Sequence, residues 1–441
     1  MKLLVIGGNP AGMSAASRVK RRSPETQVVV LEQTHEVSYG ACGLPYYIAG
    51  LNDDIDLIRI RKVPEFEQNG IQVKTGVKAV GVDFSAKTVA CESEDGQRFE
   101  ETYDKLMIAS GSSPKVPPIP GIRKPGIMPL KTLQDAENIK TAMLAGAKSV
   151  VIVGGGYIGL EIAEACILQK IPQIHVVEAL DRLLNVFDSE FSEAVRQELE
   201  EKGVQVHTGE RVMSFEGGEK VEKIVTDKGE YAADLVILSI GIGPNTSFLP
   251  NTIQKLPNGA IVTDEAMKTS VPDVWAAGDC ATIWHKLLDK PMFIALGTNA
   301  NKQGRLAGDS ILGKDVCFKR ALGTSMLRVM ELELAKTGLG ENDCKANGIA
   351  YKATTVRTRS HARYYPDPAM LTVKLCYDPE THVLLGAQIM GKKEAAIRID
   401  TFAVAVDQGM TTEELGFVDL GYAPPFAGVW DAVHVASNAA K

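Results

Sequence analysis

The sequence lacks the features that mark membrane proteins and nucleic-acid-binding proteins. Its 441 residues contain no apolar stretch long enough to cross a lipid bilayer, and no basic cluster that overrides the acidic balance of the chain. The 55 acidic side chains outnumber the 48 basic ones, which gives a net charge of −7. We therefore expect neither membrane insertion nor nucleic-acid binding. The N-terminal stretch MKLLVIGG reaches two glycines before any long hydrophobic region, so it predicts a strand and not a signal peptide.

Paired cysteines are also missing. The chain has seven cysteines, an odd number, and no C-x-x-C motif. They are Cys42, Cys91, Cys166, Cys280, Cys317, Cys344 and Cys376. Such scattered thiols argue against a disulfide framework and against a structural zinc site, and they favour the reducing cytoplasm. The seven histidines are scattered as well, with no H-E-x-x-H motif, so we expect no bound metal.

What the sequence does contain is an internal repeat. KLLVIGGNPAGMSAASRVK opens the chain and SVVIVGGGYIGLEIAEACI begins at Ser149; each predicts a strand, a glycine turn and a helix rich in small residues. A second apolar strand follows each copy and ends in an acid, at Glu32 and at Glu178. Each acid stands about 20 residues after the last glycine of its turn, which is the spacing of a dinucleotide-binding βαβ unit. A single glycine turn would be weak evidence, but two copies with their acids favour two such sites.

The residue types suit the binding of a dinucleotide. The first glycine of each turn permits a tight bend, the last permits close packing, the helix amides bind a pyrophosphate, and the acid accepts a hydrogen bond from ribose. In the first copy Asn9 replaces the middle glycine, so the backbone is less open there. The candidate residues of the first copy are Gly7, Gly8, Asn9, Pro10, Ala11, Gly12 and Glu32. Those of the second copy are Gly154, Gly156, Tyr157, Ile158, Gly159, Glu161 and Glu178.

Two further segments end in polar turns. YDKLMIASGSSPKVPPIPG predicts a buried strand that ends near Ser110 and Gly111, before a proline-rich crossover. VPDVWAAGDCATI predicts a strand that ends at Gly278 and Asp279, and ALGTNANKQGRLAGDSILG predicts the next helix. Taken alone, these segments are typical of any strand, turn and core helix.

In this order, the segments resemble the FAD- and NAD(P)-dependent pyridine nucleotide-disulfide oxidoreductases over essentially the whole chain. The resemblance implies an α/β fold with two Rossmann-like dinucleotide-binding domains and a C-terminal α+β dimerisation domain. The implied limits are 1–115 and 244–316 for an FAD-binding domain, 116–243 for an NAD-binding domain and 317–441 for the dimerisation domain. The implied cofactor contacts include Ser110, Gly111, Gly243, Gly278, Asp279, Gly297 and Thr298. Glu161 would lie beside the nicotinamide; the alternative is a solvated helix residue.

Within this superfamily, Cys42 narrows the choice. It stands alone in EVSYGACGLPYYIAG, with Val37 and Tyr47 at the positions where a C-x-x-x-x-C pair would place its second cysteine. The stretch resembles the single-cysteine branch, which holds coenzyme A-disulfide reductases, persulfide and polysulfide reductases, NADH oxidases and NADH peroxidases. Oxidase and peroxidase members carry a histidine in the first glycine turn, where this chain has Pro10, which cannot relay a proton.

The C-terminal stretches RSHARYYPDPAM and DLGYAPPFAGVWDAVHVAS most resemble the coenzyme A-disulfide and persulfide reductases. The resemblance implies a homodimer in which Tyr364 and Tyr422 reach the thiol of the partner subunit. The alternative for Tyr364 is an aromatic residue of a turn.

The same resemblance makes coenzyme A a candidate substrate or bound thiol. It assigns substrate binding to Ser14, Arg18, Arg21 and Ser38. Ala41 replaces an asparagine that those enzymes carry before the cysteine. The basic run that includes Arg21 has a plainer alternative, a solvated helix end.

These observations lead to one main hypothesis. NADH reduces FAD, and the electrons then reduce a disulfide, persulfide or polysulfide bound to Cys42. A helix predicted from Gly43 would favour the Cys42 thiolate through its amides and dipole. Glu178 favours NADH over NADPH, because the added phosphate of NADPH would face its carboxylate. The alternatives are an NADH oxidase of the same fold, or a flavin electron-transfer module for a protein partner in which Cys42 is an inert buried thiol.

Overall fold

The computed structural model describes residues 1–441, which divide into two compact units. The first unit consists of 1–44, 52–115 and 242–321. The second consists of 45–51, 116–241 and 322–441. The chain therefore passes from one unit to the other close to the implied domain limits. The predicted NAD-binding and C-terminal regions both belong to the second unit. The four domain limits themselves stay predictions.

The first unit is built on a five-stranded parallel sheet. Its strands lie in the order Val274–Ala276, Lys105–Ile108, Lys2–Ile6, Gln27–Leu31 and Ile71–Lys74. Leu3 and Val5 pack on one face with the helix residues, while Leu4 and Ile6 pack on the other. Both faces are therefore covered, which explains why the strands are continuously apolar instead of alternating.

Helices and smaller sheets complete the first unit. Its α-helices are Pro10–Arg22, Val63–Glu67 and Gly297–Ile311, and its 3-10 turns are Ala41–Gly43 and Ile55–Ile58. An antiparallel sheet of Val77–Asp83, Thr88–Ser93 and Arg98–Thr102 covers one face. Two antiparallel pairs remain, Ser112–Pro114 with Ile242–Pro244 and Ile283–His285 with Lys290–Met292.

The second unit repeats this plan. Its parallel sheet has the order Gln205–Thr208, Gln173–Glu178, Ser149–Val153, Leu235–Leu238 and Ile127–Pro129. An antiparallel sheet of Val212–Glu216, Lys223–Thr226 and Glu230–Ala232 again packs on one face, with Phe215 against Val151. The helices of this part are Leu133–Leu144, Tyr157–Leu168 and Ser189–Glu201. The internal repeat of the sequence thus folds as two similar dinucleotide-binding sheets.

The rest of the second unit is an α+β region. Its five-stranded antiparallel sheet has the order Ser325–Val329, Leu332–Gly338, Leu384–Gly391, Met370–Tyr377 and Lys352–Arg359. The helices are Glu341–Asn347, Ile399–Gln408, Thr412–Leu415 and Ala432–Ala439, with a 3-10 turn at Ala396–Arg398. The predicted fold, two Rossmann-like domains with a C-terminal α+β domain, is confirmed. None of the helices is both long and apolar enough to cross a membrane.

The helix predicted from Gly43 is present but short. A 3-10 turn at Ala41–Gly43 leads into an α-helix of five residues at Leu44–Ile48. The helix ends because Gly50 takes a left-handed conformation with φ of +75°. So short a helix has a small dipole, and the support that we expected it to give a thiolate is correspondingly weak.

Candidate active site

The first glycine turn is closely packed. Gly7 has φ of +107°, and a Cβ atom there would lie 2.1 Å from the carbonyl oxygen of Ala109. A Cβ atom on Gly12 would lie 1.9 Å from the carbonyl oxygen of Gly7. No other residue type fits at either position, because strand, helix and loop touch there through their backbones. This is the geometry that the glycine pattern requires for a dinucleotide-binding turn.

Glu32 supports the same turn. One carboxylate oxygen accepts the N–H of Gly8 at 2.8 Å, and the other accepts the N–H and the hydroxyl of Thr34, both at 2.9 Å. An ionised carboxylate accepts about four hydrogen bonds, so one position is left for a ribose hydroxyl. Asn9 caps the helix that starts at Pro10, and its Oδ1 accepts the N–H of Tyr39 at 3.4 Å.

Four of the other predicted cofactor contacts of the first unit, Ser110, Gly111, Gly278 and Asp279, lie on loops that follow its strands. Ser110 donates its hydroxyl proton to the carbonyl of Asn245 at 2.7 Å, and Gly111 has φ of +68°. The N–H of Gly278 donates to Gln303 Oε1 at 3.0 Å. Asp279 accepts the hydroxyl of Ser112 at 2.9 Å. Gly243 lies in the strand Ile242–Pro244, opposite Ser113.

Gly297 and Thr298 are exposed at the start of the helix Gly297–Ile311. The next residue, Asn299, is buried, and its Nδ2 atom has no hydrogen-bond partner. A buried amide donor without an acceptor fits a site that a polar ligand such as FAD completes. Sequence reasoning missed Asn299, although its place in the first turn of a glycine-led helix was a signal.

The second glycine turn repeats the first and is more open. Gly154 has φ of +110°, and a Cβ atom on Gly159 would lie 2.0 Å from the carbonyl oxygen of Gly154. At Gly156, in contrast, a Cβ atom would meet nothing within 4 Å. The backbone is therefore accessible at Gly156, next to the N-terminus of the helix Tyr157–Leu168. A pyrophosphate can approach such a backbone closely.

Glu178 holds this turn as Glu32 holds the first. Its Oε2 accepts the N–H of Gly155 at 2.7 Å, and its Oε1 accepts the N–H of Leu180 at 2.8 Å. The carboxylate keeps acceptor capacity on both oxygens for ribose hydroxyls. The nearby Arg182 has a buried Nε atom without a hydrogen-bond partner.

Three candidate residues lie along the helix that follows this turn. Burial, and to a smaller degree the charge of Glu164, raise the pKa of Glu161 to about 7. Glu161 is half-buried, so it is not the freely solvated side chain of the alternative interpretation. The hydroxyl oxygens of Tyr157 and Ser325 lie 2.8 Å apart, and burial raises the pKa of Tyr157. Ile158 is partly exposed.

Cys42 differs from most of the other cysteines. It is exposed, in the 3-10 turn Ala41–Gly43, so it is not the inert buried thiol of the alternative interpretation. Burial raises the pKa of Cys91 and Cys344 to about 11, and it also raises the pKa of three more buried thiols. These are Cys166, Cys280 and Cys376.

Cys317 is the other exposed cysteine. Its thiol donates a hydrogen bond to the carboxylate of Glu265 at 3.1 Å, and this contact raises its pKa. Because a thiolate is the reactive form, the raised pKa values disfavour six of the seven cysteines as nucleophiles. Cys42, which is exposed and lies in the stretch that the sequence singled out, is the candidate redox centre.

The two candidate tyrosines lie together. The hydroxyl oxygens of Tyr364 and Tyr422 are 2.6 Å apart, although the residues are separated by 58 positions in the chain. Their side chains are 71% and 45% exposed. The sequence singled out both residues but did not predict this contact. Tyr364 lies in a turn, as the alternative interpretation expected, and its hydroxyl also contacts Tyr422.

The four predicted substrate-binding residues differ in exposure and in the hydrogen bonds that they make. Arg18 donates from Nε and Nη2 to one carboxylate oxygen of Asp309, at 2.9 and 2.5 Å, and is largely buried. Ser14 donates to Asn301 Oδ1 at 2.7 Å. Arg21 is exposed, whereas the backbone of Ser38 is bonded on both sides, to Gly8 and Ile60. Arg18 is thus committed to an ion pair, which weakens its assignment to a substrate.

Comparison with known proteins settles the family. Residues 1–304 match the family described as pyridine nucleotide-disulphide oxidoreductase, and residues 325–433 match the dimerisation domain of that family. The chain belongs to the pyridine nucleotide-disulphide oxidoreductases. Members of this family use FAD and NAD(P)H, which agrees with the two glycine turns.

Individual relatives cover the whole chain. The chain is 38% identical to an NAD(P)H coenzyme A polysulfide/persulfide reductase of Pyrococcus horikoshii, over 100% of this chain and 98% of the relative. It superposes on an NAD-dependent persulfide reductase of A. fulgidus with a TM-score of 0.95 and 35% identity, over 99% of this chain and 82% of that one. It also superposes on a water-forming NADH oxidase of Lactobacillus brevis, with a TM-score of 0.97 and 31% identity, over 100% and 98%.

Proposed function

We propose that this protein is an FAD-dependent NAD(P)H oxidoreductase that reduces coenzyme A disulfide, persulfide or polysulfide through Cys42. The observation that carries the proposal is the exposure of Cys42, in the turn before a short helix, in a chain where five of the other six thiols are buried. The names of the Pyrococcus horikoshii and A. fulgidus relatives support the same substrate class. When bound, FAD would supply the transfer of an electron pair from the nicotinamide to the sulfur site.

The chemistry of Cys42 follows from thiol–disulfide exchange. The Cys42 thiolate attacks one sulfur of the substrate, the S–S bond of the substrate breaks, and one thiolate leaves. A tyrosine hydroxyl donates a proton to that leaving thiolate. The mixed disulfide on Cys42 then takes up two electrons and a proton, which releases the second thiol and restores the Cys42 thiolate. For a disulfide, each cycle consumes one NADH and one proton and yields two thiols.

An NADH oxidase remains the second candidate, because one relative of high structural similarity carries that name. The first glycine turn has Pro10 as the first residue of its helix, and Pro10 has no group that donates or accepts a proton. This absence of an acid–base side chain favours sulfur reduction over oxygen reduction. NADH consumption under air without a disulfide would be slow in comparison with disulfide reduction.

The proposal includes a preference for NADH, through the carboxylate of Glu178. Coenzyme A would bind near the exposed Arg21 and Ser38, without a direct role for Arg18. We further propose a cytoplasmic homodimer, in which the tyrosine pair of one subunit completes the Cys42 site of the other. Large apolar side chains near Tyr422 are exposed in the single chain, among them Phe417, Phe426 and Val429. A second copy of the chain would cover them.

The deciding experiment compares two serine variants. Cys42→Ser and Cys317→Ser each remove one exposed thiol, so they form a matched pair. We expect Cys317→Ser to behave as the wild type in anaerobic NADH titration, with a long-wavelength thiolate-to-flavin charge-transfer band and full disulfide turnover. We expect Cys42→Ser to lose both. Retention of the band and of disulfide reduction in Cys42→Ser would instead support the electron-transfer module with a structural Cys42.

A further inference from the structure

Tyr364 and Tyr422 lie on two loops that have no regular secondary structure. The first loop, 360–369, connects the strands Lys352–Arg359 and Met370–Tyr377. The second, 416–431, connects the short helix Thr412–Leu415 to the helix Ala432–Ala439. Backbone hydrogen bonds fix each loop internally, as between the Ser360 N–H and the Ala369 carbonyl and between the Phe426 N–H and the Ala423 carbonyl. The separation of the two hydroxyls therefore depends on contacts that join one loop to the other.

Arg398 makes such contacts with both loops. Its Nη2 atom donates to the carbonyl of Ser360 at 2.7 Å and to the carbonyl of Phe426 at 2.9 Å. A single guanidinium nitrogen therefore joins the start of the loop that carries Tyr364 to the segment that follows Tyr422. The side chain of Arg398 is only 11% exposed; its bond to Ser360 is partly buried, whereas its bond to Phe426 lies at the surface.

The remaining donors of Arg398 fix the guanidinium itself. Nε donates to Asp431 Oδ2 at 3.0 Å, and Nη1 donates to the carbonyl of Glu394. Asp431 also accepts the N–H of Val433 at 2.9 Å, which caps the helix Ala432–Ala439. The guanidinium of Arg398 is thus held by an ion pair with Asp431, the N-cap residue of the helix Ala432–Ala439. Because the guanidinium is planar and rigid, this ion pair also directs Nη2 toward the two loops.

Two histidines hold the opposite ends of the loops. The Nε2–H of His361 donates to the carbonyl of Pro366 at 3.2 Å. The Nε2–H of His434 donates to the carbonyl of Val418 at 2.7 Å. Each tyrosine accordingly stands between one carbonyl held by Arg398 and one held by a histidine. Arg398 is the one of these three side chains that binds both loops.

We propose that Arg398 is a positioning residue that sets the 2.6 Å contact between the hydroxyls of Tyr364 and Tyr422. The inference rests on the proposed function, since it assumes that the tyrosine pair serves the Cys42 chemistry. Arg398 acts through the tyrosines and touches no reacting atom. Misplacement of a catalytic group by about 1 Å is known to lower rates about a hundredfold, so the effect should be measurable.

Arg398→Lys tests this role, because lysine keeps the charge and loses the planar fork. We expect kcat/KM for the disulfide to fall about 10- to 100-fold, and the anaerobic reduction of the flavin by NADH, in the holoenzyme, to stay within about twofold. Lys336→Met is the control for destabilisation alone. It removes a buried cation from the sheet of the same unit, where Lys336 donates to the carbonyl of Val186 at 2.7 Å. We expect it to lower Tm without lowering kcat/KM for the disulfide.

A double-mutant cycle separates positioning from a general structural role. In a chain that carries both Tyr364→Phe and Tyr422→Phe, we expect Arg398→Lys to lower kcat/KM by less than about twofold, because the hydroxyls that it positions are gone. The inference would be overturned if Arg398→Lys lowered kcat/KM by the same factor with and without the tyrosine hydroxyls. Full activity of Arg398→Lys in the chain with both tyrosines would overturn it as well.

A further variant covers the case in which Arg398→Lys does not fold. Asp431→Asn weakens the ion pair but keeps a side chain that caps helices well, so the helix Ala432–Ala439 should remain. We expect Asp431→Asn to lower kcat/KM for the disulfide less than Arg398→Lys does, and not to lower it in the chain that carries both Tyr364→Phe and Tyr422→Phe. A loss of kcat/KM that persists in that chain would refute the inference. Disulfide reduction by Cys42→Ser would refute the proposed function itself. If Cys42→Ser is inactive, and Arg398→Lys lowers kcat/KM by the same factor with and without the two tyrosine hydroxyls, only the positioning role is refuted.

Discussion

The hydroxyl oxygens of Tyr364 and Tyr422 lie 2.6 Å apart, so one hydroxyl donates a hydrogen bond to the other. This bond stabilises the protonated form, and the contact with Tyr364 raises the pKa of Tyr422. A tyrosine whose pKa is raised above its ordinary value keeps its proton at neutral and mildly alkaline pH. Tyr422 therefore stays protonated over this pH range and is unsuited to act as a base there. In the proposed mechanism it gives its proton to the leaving thiolate.

The first prediction concerns this pair. Proton donors contribute about 10²- to 10⁴-fold to catalysed rates, and each hydroxyl can partly substitute for the other. We expect Tyr364→Phe and Tyr422→Phe each to lower kcat for disulfide reduction about 10-fold, and the double variant at least about 100-fold. Tyr364→Phe should also move the alkaline limb of the pH profile to lower pH, because Tyr422 loses the bond that raises its pKa.

The neighbour Tyr365 provides the control for that experiment. It is exposed on the same loop and contacts the ring of His361 edge-on, a contact that phenylalanine keeps. Tyr365→Phe should leave the rate and the pH profile unchanged. A loss in Tyr365→Phe as large as that in Tyr364→Phe would mean that the loop, and not the hydroxyl pair, matters.

The second prediction concerns coenzyme choice. The phosphate of NADPH would face the carboxylate of Glu178, so repulsion and a lost hydrogen bond should cost about 1–3 kcal/mol. This predicts NADH over NADPH by roughly ten- to a hundredfold in kcat/KM. Glu178→Ala should narrow the gap mainly through weaker NADH binding. Glu178→Gln can keep the bond to the Gly155 N–H, but it removes the charge together with the bond to the Leu180 N–H. Equal kcat/KM values for the two coenzymes in the wild type would contradict a contact between Glu178 and the ribose.

The third prediction separates two glycines of the second turn. A Cβ atom on Gly156 would meet nothing in the protein within 4 Å, whereas one on Gly159 would lie 2.0 Å from the carbonyl oxygen of Gly154. We expect Gly156→Ala to fold with an unchanged Tm and to raise KM for NADH, because the methyl group takes the space of the pyrophosphate. Gly159→Ala should lower Tm by several degrees. An unchanged KM in Gly156→Ala would argue against a pyrophosphate at this turn.

The fourth prediction concerns Glu161. Its pKa is raised from 4.5 to about 7, first by burial and then by the charge of Glu164. The raised pKa means that the folded state favours the protonated acid, so its contribution to stability is lost as pH rises from about 4.5 to about 7. Tm of Glu161→Gln relative to wild type should therefore increase across that range and stay level above it. The exposed Glu193, changed to Gln, should show no such trend; a flat difference for Glu161→Gln would show that the acid is well solvated.

Much of the fold was predictable because its signals are local. The continuous apolar stretch at Lys2–Ile6 indicated a strand buried on both faces, and the glycines after it indicated the turn. The helix after Cys42 was predicted, but its short length was not, because left-handed Gly50 stops it after Ile48. The ion pair of Arg18 could not be predicted, because its partner Asp309 lies 291 residues away, beyond the reach of any local pattern.

The sequence by itself determined the two dinucleotide-binding turns. At Gly7, Gly12, Gly154 and Gly159 a Cβ atom would clash with the backbone of the same turn or of an adjoining segment. The spacing of these glycines is therefore enough to predict the geometry of each turn. Only the tertiary structure decided that Tyr364 and Tyr422 form one hydrogen-bonded pair and that Arg398 joins their loops. These contacts link irregular loops far apart in the chain, and packing of the surrounding strands and helices brings them together. The turns follow from steric limits on the backbone, whereas the tyrosine pair follows from the placement of whole elements.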